Sequence, residues 1–176
     1  MLNTKQEEWI LHLSTDSKIK IIPFDKSAEE KFERIKFIIK QKLGKDREVM
    51  HCGSTSLKIS GQDEIDVYIP VIKNDFNKHI NLLIELFGEP KSNYPMERVR
   101  FVTNIDGKHI DVFLINKEDE GWINSLKFEN YLKEHKDCLK EYEDLKQSLD
   151  GESVQNYYRK KTEFINKILK EIDKYL

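Results

Sequence analysis

The chain has 176 residues, 38% hydrophobic and 35% charged, which suits one domain with a core that needs no disulfide staples. Lys and Arg number 30 against 32 Asp and Glu, a formal net charge of -2, so nothing general draws the chain to nucleic acid or to an anionic membrane. Cys52 and Cys138 lack metal-type spacing, no apolar run approaches the roughly 20 residues of a membrane span, and the polar, acidic opening Met1–Glu8 does not read as a signal peptide, so the expected location is the cytoplasm.

Residues 4–13 read as a short first helix, with Trp9, Ile10 and Leu13 on one side. Lys18 to Phe24 alternates weakly and meets Pro23, which predicts a short edge strand. Ser27 is placed to cap the next helix. Ala28, Phe32, Ile35, Ile39 and Leu43 recur at helical spacing, and Gly44 stops them. Glu48 to Cys52 reads as a strand running into Gly53-Ser54. Glu64 to Ile69 alternates strictly, with Glu64, Asp66 and Tyr68 on one face and Ile65, Val67 and Ile69 on the other. Phe76 to Phe87 is amphipathic and ends at Gly88. Arg98–Ile105 and Lys108–Ile115 flank Asp106-Gly107, a strong hairpin signal. The remainder is helical: 119–134, then a stripe through His135, Cys138, Leu139, Tyr142, Leu145 and Leu149, then 154–175 after a break at Gly151. The expected architecture is a single α+β domain over 1–176, with a mixed-sheet core over 1–117, flanking helices, and a helical C-terminal third over 118–176.

The chemistry-bearing stretch is His51 to Tyr68. Gly53 lets a phosphate approach the backbone, and Ser54, Thr55 and Ser56 offer hydroxyls and successive N–H groups, the makings of an anion nest. Nine residues separate Ser54 from Glu64-Ile65-Asp66. Two positions apart on a strand, these carboxylates share a face, roughly 6.5–7 Å apart along the backbone. If Asp106-Gly107 is a two-residue turn, Ile105 pairs with Lys108 and Val102 lies opposite Asp111. Arg98 and Arg100 then share the face of Asp111. Glu64, Asp66 and Asp111, together with triphosphate oxygens, would hold one or two Mg²⁺ ions. Lys161 sits inside the apolar stripe of the last helix, so its ammonium needs a partner such as a phosphate or an acid. His51, His109 and His135 are expected to be structural.

Gly53-Ser54, the acid-x-acid strand and the later Asp111 resemble the nucleotidyltransferase superfamily that includes DNA polymerase beta. A closer resemblance covers nearly the whole chain. His51-Cys-Gly-Ser-Thr-Ser56, Phe128-Glu-Asn-Tyr-Leu132, Glu141-Tyr142, and Tyr157 with Lys161-Thr-Glu-Phe-Ile165 are similar to the motifs of the GrpB family. That family implies a small nucleotidyltransferase-type fold. Its members usually carry Pro-Gly-Leu and Lys-Pro segments after the serine turn, where this chain has Leu57–Gly61 and Asp63-Glu64. The resemblance also implies that the first and third acids are often missing; Glu64 and Asp111 supply them here. Glu129 stands where the family tends to have Arg. The function implied is Mg²⁺-dependent transfer of a nucleoside monophosphate from an NTP to a small-molecule or protein acceptor. In that reading Gly53, Ser54, Ser56, Arg100 and Lys161 contact the nucleotide. The alternative is a module of the same fold that binds a nucleotide or phosphate ligand without chemistry, or that serves as an interaction module.

Overall fold

The computed structural model describes residues 1–174. The chain divides into two compact units, each built from segments that are separate in sequence. A sheet unit comprises 24–58 and 63–125; a helical unit comprises 1–23, 59–62 and 126 onward. Residues 1–23 and 59–62 therefore group with the C-terminal helices, which differs from a division at 117.

In the sheet unit, helix α2 (Ala28–Leu43) ends at Gly44, as its apolar spacing predicts. Ser27 occupies the N-cap position but makes no side-chain cap bond, contrary to expectation. Its hydroxyl donates instead to Asp25 Oδ1 at 2.6 Å, and its backbone N–H donates to the same oxygen at 2.8 Å. Strand β1 (Met50–Cys52) is shorter than the sequence indicates and leads into one helical turn, α3 (Gly53–Ser56). Strand β2 (Glu64–Val71), a 3-10 turn at Lys73–Asp75 and helix α4 (Phe76–Phe87) follow. Strands β4 (Arg98–Ile105) and β5 (Lys108–Asn116) form the expected hairpin. Asp106 and Gly107 have φ of 50° and 79°, the two positive values of the mirror-image turn that suits twisted strands. Strand β3 (Ser92–Tyr94), three polar edge residues, carries no apolar alternation to mark it in the sequence.

Among the described residues the five strands form one sheet in the order β1-β2-β5-β4-β3. The β2–β5 pair is parallel and the other pairs are antiparallel, so the sheet is mixed. One face carries Ile65, Val67, Ile69, Val99, Phe101, Ile110, Val112 and Leu114, buried against Phe32, Ile35 and Ile39 of α2 and Phe76 and Leu83 of α4. Each such side chain contributes about 1.5–3 kcal/mol when fully buried. That packing fixes the register, because a slip of one residue would turn every apolar side chain outward. Pro70 is accommodated because the β1 ladder ends at the Met50–Tyr68 pair, leaving β2 an edge on that side. The opposite face carries Glu64, Asp66, Tyr68, His109, Asp111, Arg98 and Arg100.

In the helical unit, α1 (Thr4–Leu11) begins with a capping box between Asn3 and Gln6. Helices α5 (Glu120–Glu134, which starts in the sheet unit and continues here), α6 (Lys136–Ser148) and α7 (Val154–Ile172) follow. Arg159 of α7 bonds both carboxylate oxygens of Glu7, at 3.0 and 2.8 Å. Phe128, Tyr142 and Phe164 form a ring cluster, and Ile19 packs with Leu149 and Tyr157. The edge strand expected at Lys18–Phe24 does not form. Lys18 and Ile22 make only isolated bridges, to Ser153 and Gly61. The Ile21 N–H donates to the Asp150 side chain rather than to a strand, and Pro23 has no N–H to offer a ladder. No helix among the described residues is long and apolar enough to cross a membrane.

Candidate functional site: an acidic and imidazole cluster on two parallel strands

The parallel register sets Glu64 beside His109 and Asp66 beside Asp111. Alternation then puts all four side chains on the face away from α2 and α4. Glu64, His109 and Asp111 each offer a ligand atom within 4.8 Å of the other two. Two carboxylates and an imidazole at this spacing fit a divalent cation. The Asp111 side chain is 6% exposed, and its burial is compensated: Arg100 Nη2 and His109 Nε2 each lie 2.9 Å from Oδ1. The antiparallel hairpin makes this contact, with Val102 opposite Asp111 and Arg100 one pair further along the same face, as the turn chemistry predicts.

Asp66 lies at the Gly53 turn. A Cβ built on Gly53 would overlap Asp66 Oδ2, with Cγ only 3.0 Å away. Gly53 also has φ of +75°, where an L side chain is strained. The glycine thus has two jobs: it turns the chain from β1 into α3, and it leaves room for the carboxylate. Ser54 and Ser56 are inside the α3 turn, whose N-cap is Cys52, so neither serves as a cap.

His51 stacks on Phe32 at 4.5 Å, its Nε2 is 2.9 Å from Thr55 Oγ1, and its Nδ1 is 3.3 Å from Glu29. It points to the α2 side of the sheet, opposite the acids, and pins α3 through Thr55. His135 stacks on Tyr131 at 3.7 Å within the helical unit. Arg98 shares the face of Asp111 but lies over the rings of Tyr94 and Phe113, at 5.2 and 5.7 Å. Tyr68 stacks between Phe113 and Trp122.

Lys161 belongs to the helical unit. Its ammonium stands 5.9 Å from the Tyr157 ring centre and 5.4 Å from that of Tyr158, so aromatic faces meet part of the need for a partner. Glu129, on α5, pairs with Lys133 at 2.9 Å.

Two features lie beyond what local patterning reveals. His109, expected to be structural, alternates with Asp111 and so shares its face; only the parallel pairing with β2 brings it to Glu64. Lys108 is buried and pairs with Asp25 at 3.2 Å and with Asp63. The Ser27 hydroxyl, then the Ser27 N–H and Lys108, hold the Asp25 carboxyl well below the usual carboxylate range, against the opposing effect of burial. This ion-paired knot closes the loop that leads into β2.

The fold and this face define an α+β protein with a five-stranded mixed sheet that carries a Gly-Ser turn, an acid-x-acid strand and a third acid on the parallel neighbour. Residues 18–171 match the family described as GrpB protein, and the chain belongs to the GrpB family. A crystal structure of the conserved protein GrpB from Enterococcus faecalis is similar, with 25% identity, 88% of this chain and 98% of that chain covered, and a TM-score of 0.68. Structures of the Cid1 poly(U) polymerase and of Cid1 described for its RNA terminal uridylyl transferase activity align at 17% and 16% identity, with TM-scores of 0.44 and 0.45. Both alignments cover 81% of this chain and 47% of those chains. Comparison with curated proteins gave no match.

Proposed function

We propose that the sheet unit binds a nucleoside triphosphate with a divalent cation and transfers the nucleoside monophosphate to a hydroxyl or phosphate acceptor. The observation that carries this reading is the convergence of Glu64, His109 and Asp111 within 4.8 Å on the face that also bears Asp66. In the reaction an acceptor oxygen forms a bond to the α-phosphorus, and the bond from that phosphorus to the bridging oxygen breaks. Pyrophosphate leaves. The proton of an attacking hydroxyl passes to Glu64, which is half-buried, whereas Asp111 is buried and already engaged by Arg100. Gly53, Ser54 and Ser56 line the triphosphate, where the missing glycine side chain allows close approach. Arg100 lies beside the reacting phosphates and offsets charge as pyrophosphate departs. A bound Mg²⁺, or a pair of such ions, would supply charge neutralisation on the phosphoryl oxygens and lower the pKa of the attacking hydroxyl. The net charge of -2 favours a small-molecule or protein acceptor over nucleic acid, in the cytoplasm.

A second reading has its own support. Asp111 Oδ1 is already met by Arg100 and His109 at 2.9 Å each, so that buried carboxylate is compensated without a cation. In that reading the unit binds a phosphorylated ligand and releases it unchanged.

Thermal unfolding with ATP, GTP, CTP and UTP, each with and without Mg²⁺, separates the two when pyrophosphate is measured alongside. Transfer predicts that one NTP stabilises the protein only with Mg²⁺, by about 2.7 kcal/mol at a hundredfold excess over Kd. It also predicts pyrophosphate release that Asp66→Asn abolishes. An NTP that binds and is recovered intact after long incubation leaves the binding reading. No shift with any NTP removes the transferase reading.

A further inference from the structure

The cation proposed above is an oxygen-loving Mg²⁺, yet the donor set is not all oxygen. His109 is two residues before Asp111 on β5 and lies opposite Glu64 across the parallel ladder. Its Nε2 is the ring nitrogen turned into the cluster, 2.9 Å from Asp111 Oδ1. Two ligands at ~2.1 Å from an octahedral ion, at right angles to each other, are about 3 Å apart. The nitrogen and the oxygen therefore already stand at the spacing of neighbouring corners around one cation. Asp111 is more than nine-tenths buried and fixed, whereas the His109 side chain is 44% exposed, which leaves a path from solvent.

Charge points the same way. Arg100 Nη2 stands 2.9 Å from Asp111 Oδ1 and offsets the charge of that carboxylate. Mg²⁺ dehydrates reluctantly and depends on carboxylate and phosphate charge. An offset carboxylate beside an imidazole suits first-row transition ions, whose affinity gains from a nitrogen donor. We propose that Glu64, His109 Nε2 and Asp111 form a site for a transition-metal dication of the Mn²⁺ and Co²⁺ class in preference to Mg²⁺. The proposal rests on reading this face as a cation site, but not on turnover.

The test is titration of the full chain without nucleotide. Co²⁺ is followed by calorimetry and by its visible absorption, which reports nitrogen coordination; Mn²⁺ is followed by the paramagnetic resonance of the free ion; Mg²⁺ is added as competitor. The expected result is Co²⁺ and Mn²⁺ binding at least about tenfold tighter than Mg²⁺. His109→Gln should lose about tenfold or more in Co²⁺ affinity while Mg²⁺ affinity holds. His109→Asp, which restores an oxygen donor at the same place, should shift the preference towards Mg²⁺. Circular dichroism checks that these exposed-site variants fold. Wild-type Co²⁺ affinity in His109→Gln, or Mg²⁺ binding as tight as Co²⁺ in the native chain, overturns the assignment. Co²⁺ binding that needs His109, with no pyrophosphate released under any cation, upholds this site and removes the transferase reading. Pyrophosphate release together with metal binding indifferent to His109 does the reverse.

Discussion

A methyl group has no room at Gly53. The backbone there has φ of +75°, and a Cβ would overlap Asp66 Oδ2 with Cγ 3.0 Å away. Gly107 has nearly the same φ, +79°, but a Cβ there meets nothing within 4 Å. The two glycines therefore separate backbone strain from side-chain collision. Gly107→Ala should cost about 1–2 kcal/mol, the left-handed penalty alone. Gly53→Ala should cost more, because Asp66 must move as well, and it should also weaken cation binding. Urea unfolding of both variants measures the difference. Equal midpoints would mean that Asp66 can move aside at no cost, and that the glycine serves the turn only.

At the scale of elements, alternation was the readable signal. The strict period of two in Glu64–Ile69 separated the acid face from the core face, and Asp106-Gly107 set the hairpin register that brings Arg100 to Asp111. Both follow from local rules. The union of β2 with β5 does not, because a parallel pair joins strands distant in sequence with no turn between them, and so the approach of His109 to Glu64 leaves no mark in the sequence. The segment 59–62 was equally hidden. It belongs to the helical unit, held by side chains of α6: Ser60 donates to Glu143 through its N–H at 2.8 Å and its hydroxyl at 2.9 Å. Buried Lys146 donates to the Ser60 carbonyl at 2.7 Å, and Gln147 donates to the Ser60 hydroxyl at 3.0 Å. Polar bonds across more than eighty positions leave no periodic trace in the sequence. Lys146→Met keeps the length of the side chain but strands the Ser60 carbonyl, a loss of about 1–3 kcal/mol in unfolding free energy. Lys140→Met, which removes an exposed pair with Asp144 on the same helix, should leave the midpoint where it was. If both variants unfold alike, the anchor contributes nothing.

At the scale of the molecule, the chain passes between its two units four times, after Pro23, Lys58, Gln62 and Ser125. The sequence places a change of character near residue 117, where strands give way to helices, and a cut there tests whether that change is also a boundary of stability. A chain of residues 1–117 retains Ile10 and Ile19, which are 0% and 6% exposed in the intact protein. It loses Leu149 and Tyr157, against which Ile19 packs, the Asp150 carboxylate that accepts the Ile21 N–H, and the Arg159 that holds Glu7. Each isoleucine left uncovered forfeits about 1.5–3 kcal/mol, a large part of the 5–15 kcal/mol that holds a typical domain together. Ser60 loses Glu143, Lys146 and Gln147 at once, so a polar segment in the middle of the sheet sequence is released too. The fragment should bind a hydrophobic dye and run as aggregate on gel filtration. A monomeric 1–117 that unfolds cooperatively at the native midpoint would show that these residues need nothing from 118–176. Restoring 118–176 to that fragment would then add nothing to its stability. If the fragment aggregates instead, the N-terminal residues and the 59–62 segment depend on the C-terminal helices, and the change at 117 marks a switch in secondary structure rather than an edge between independent parts.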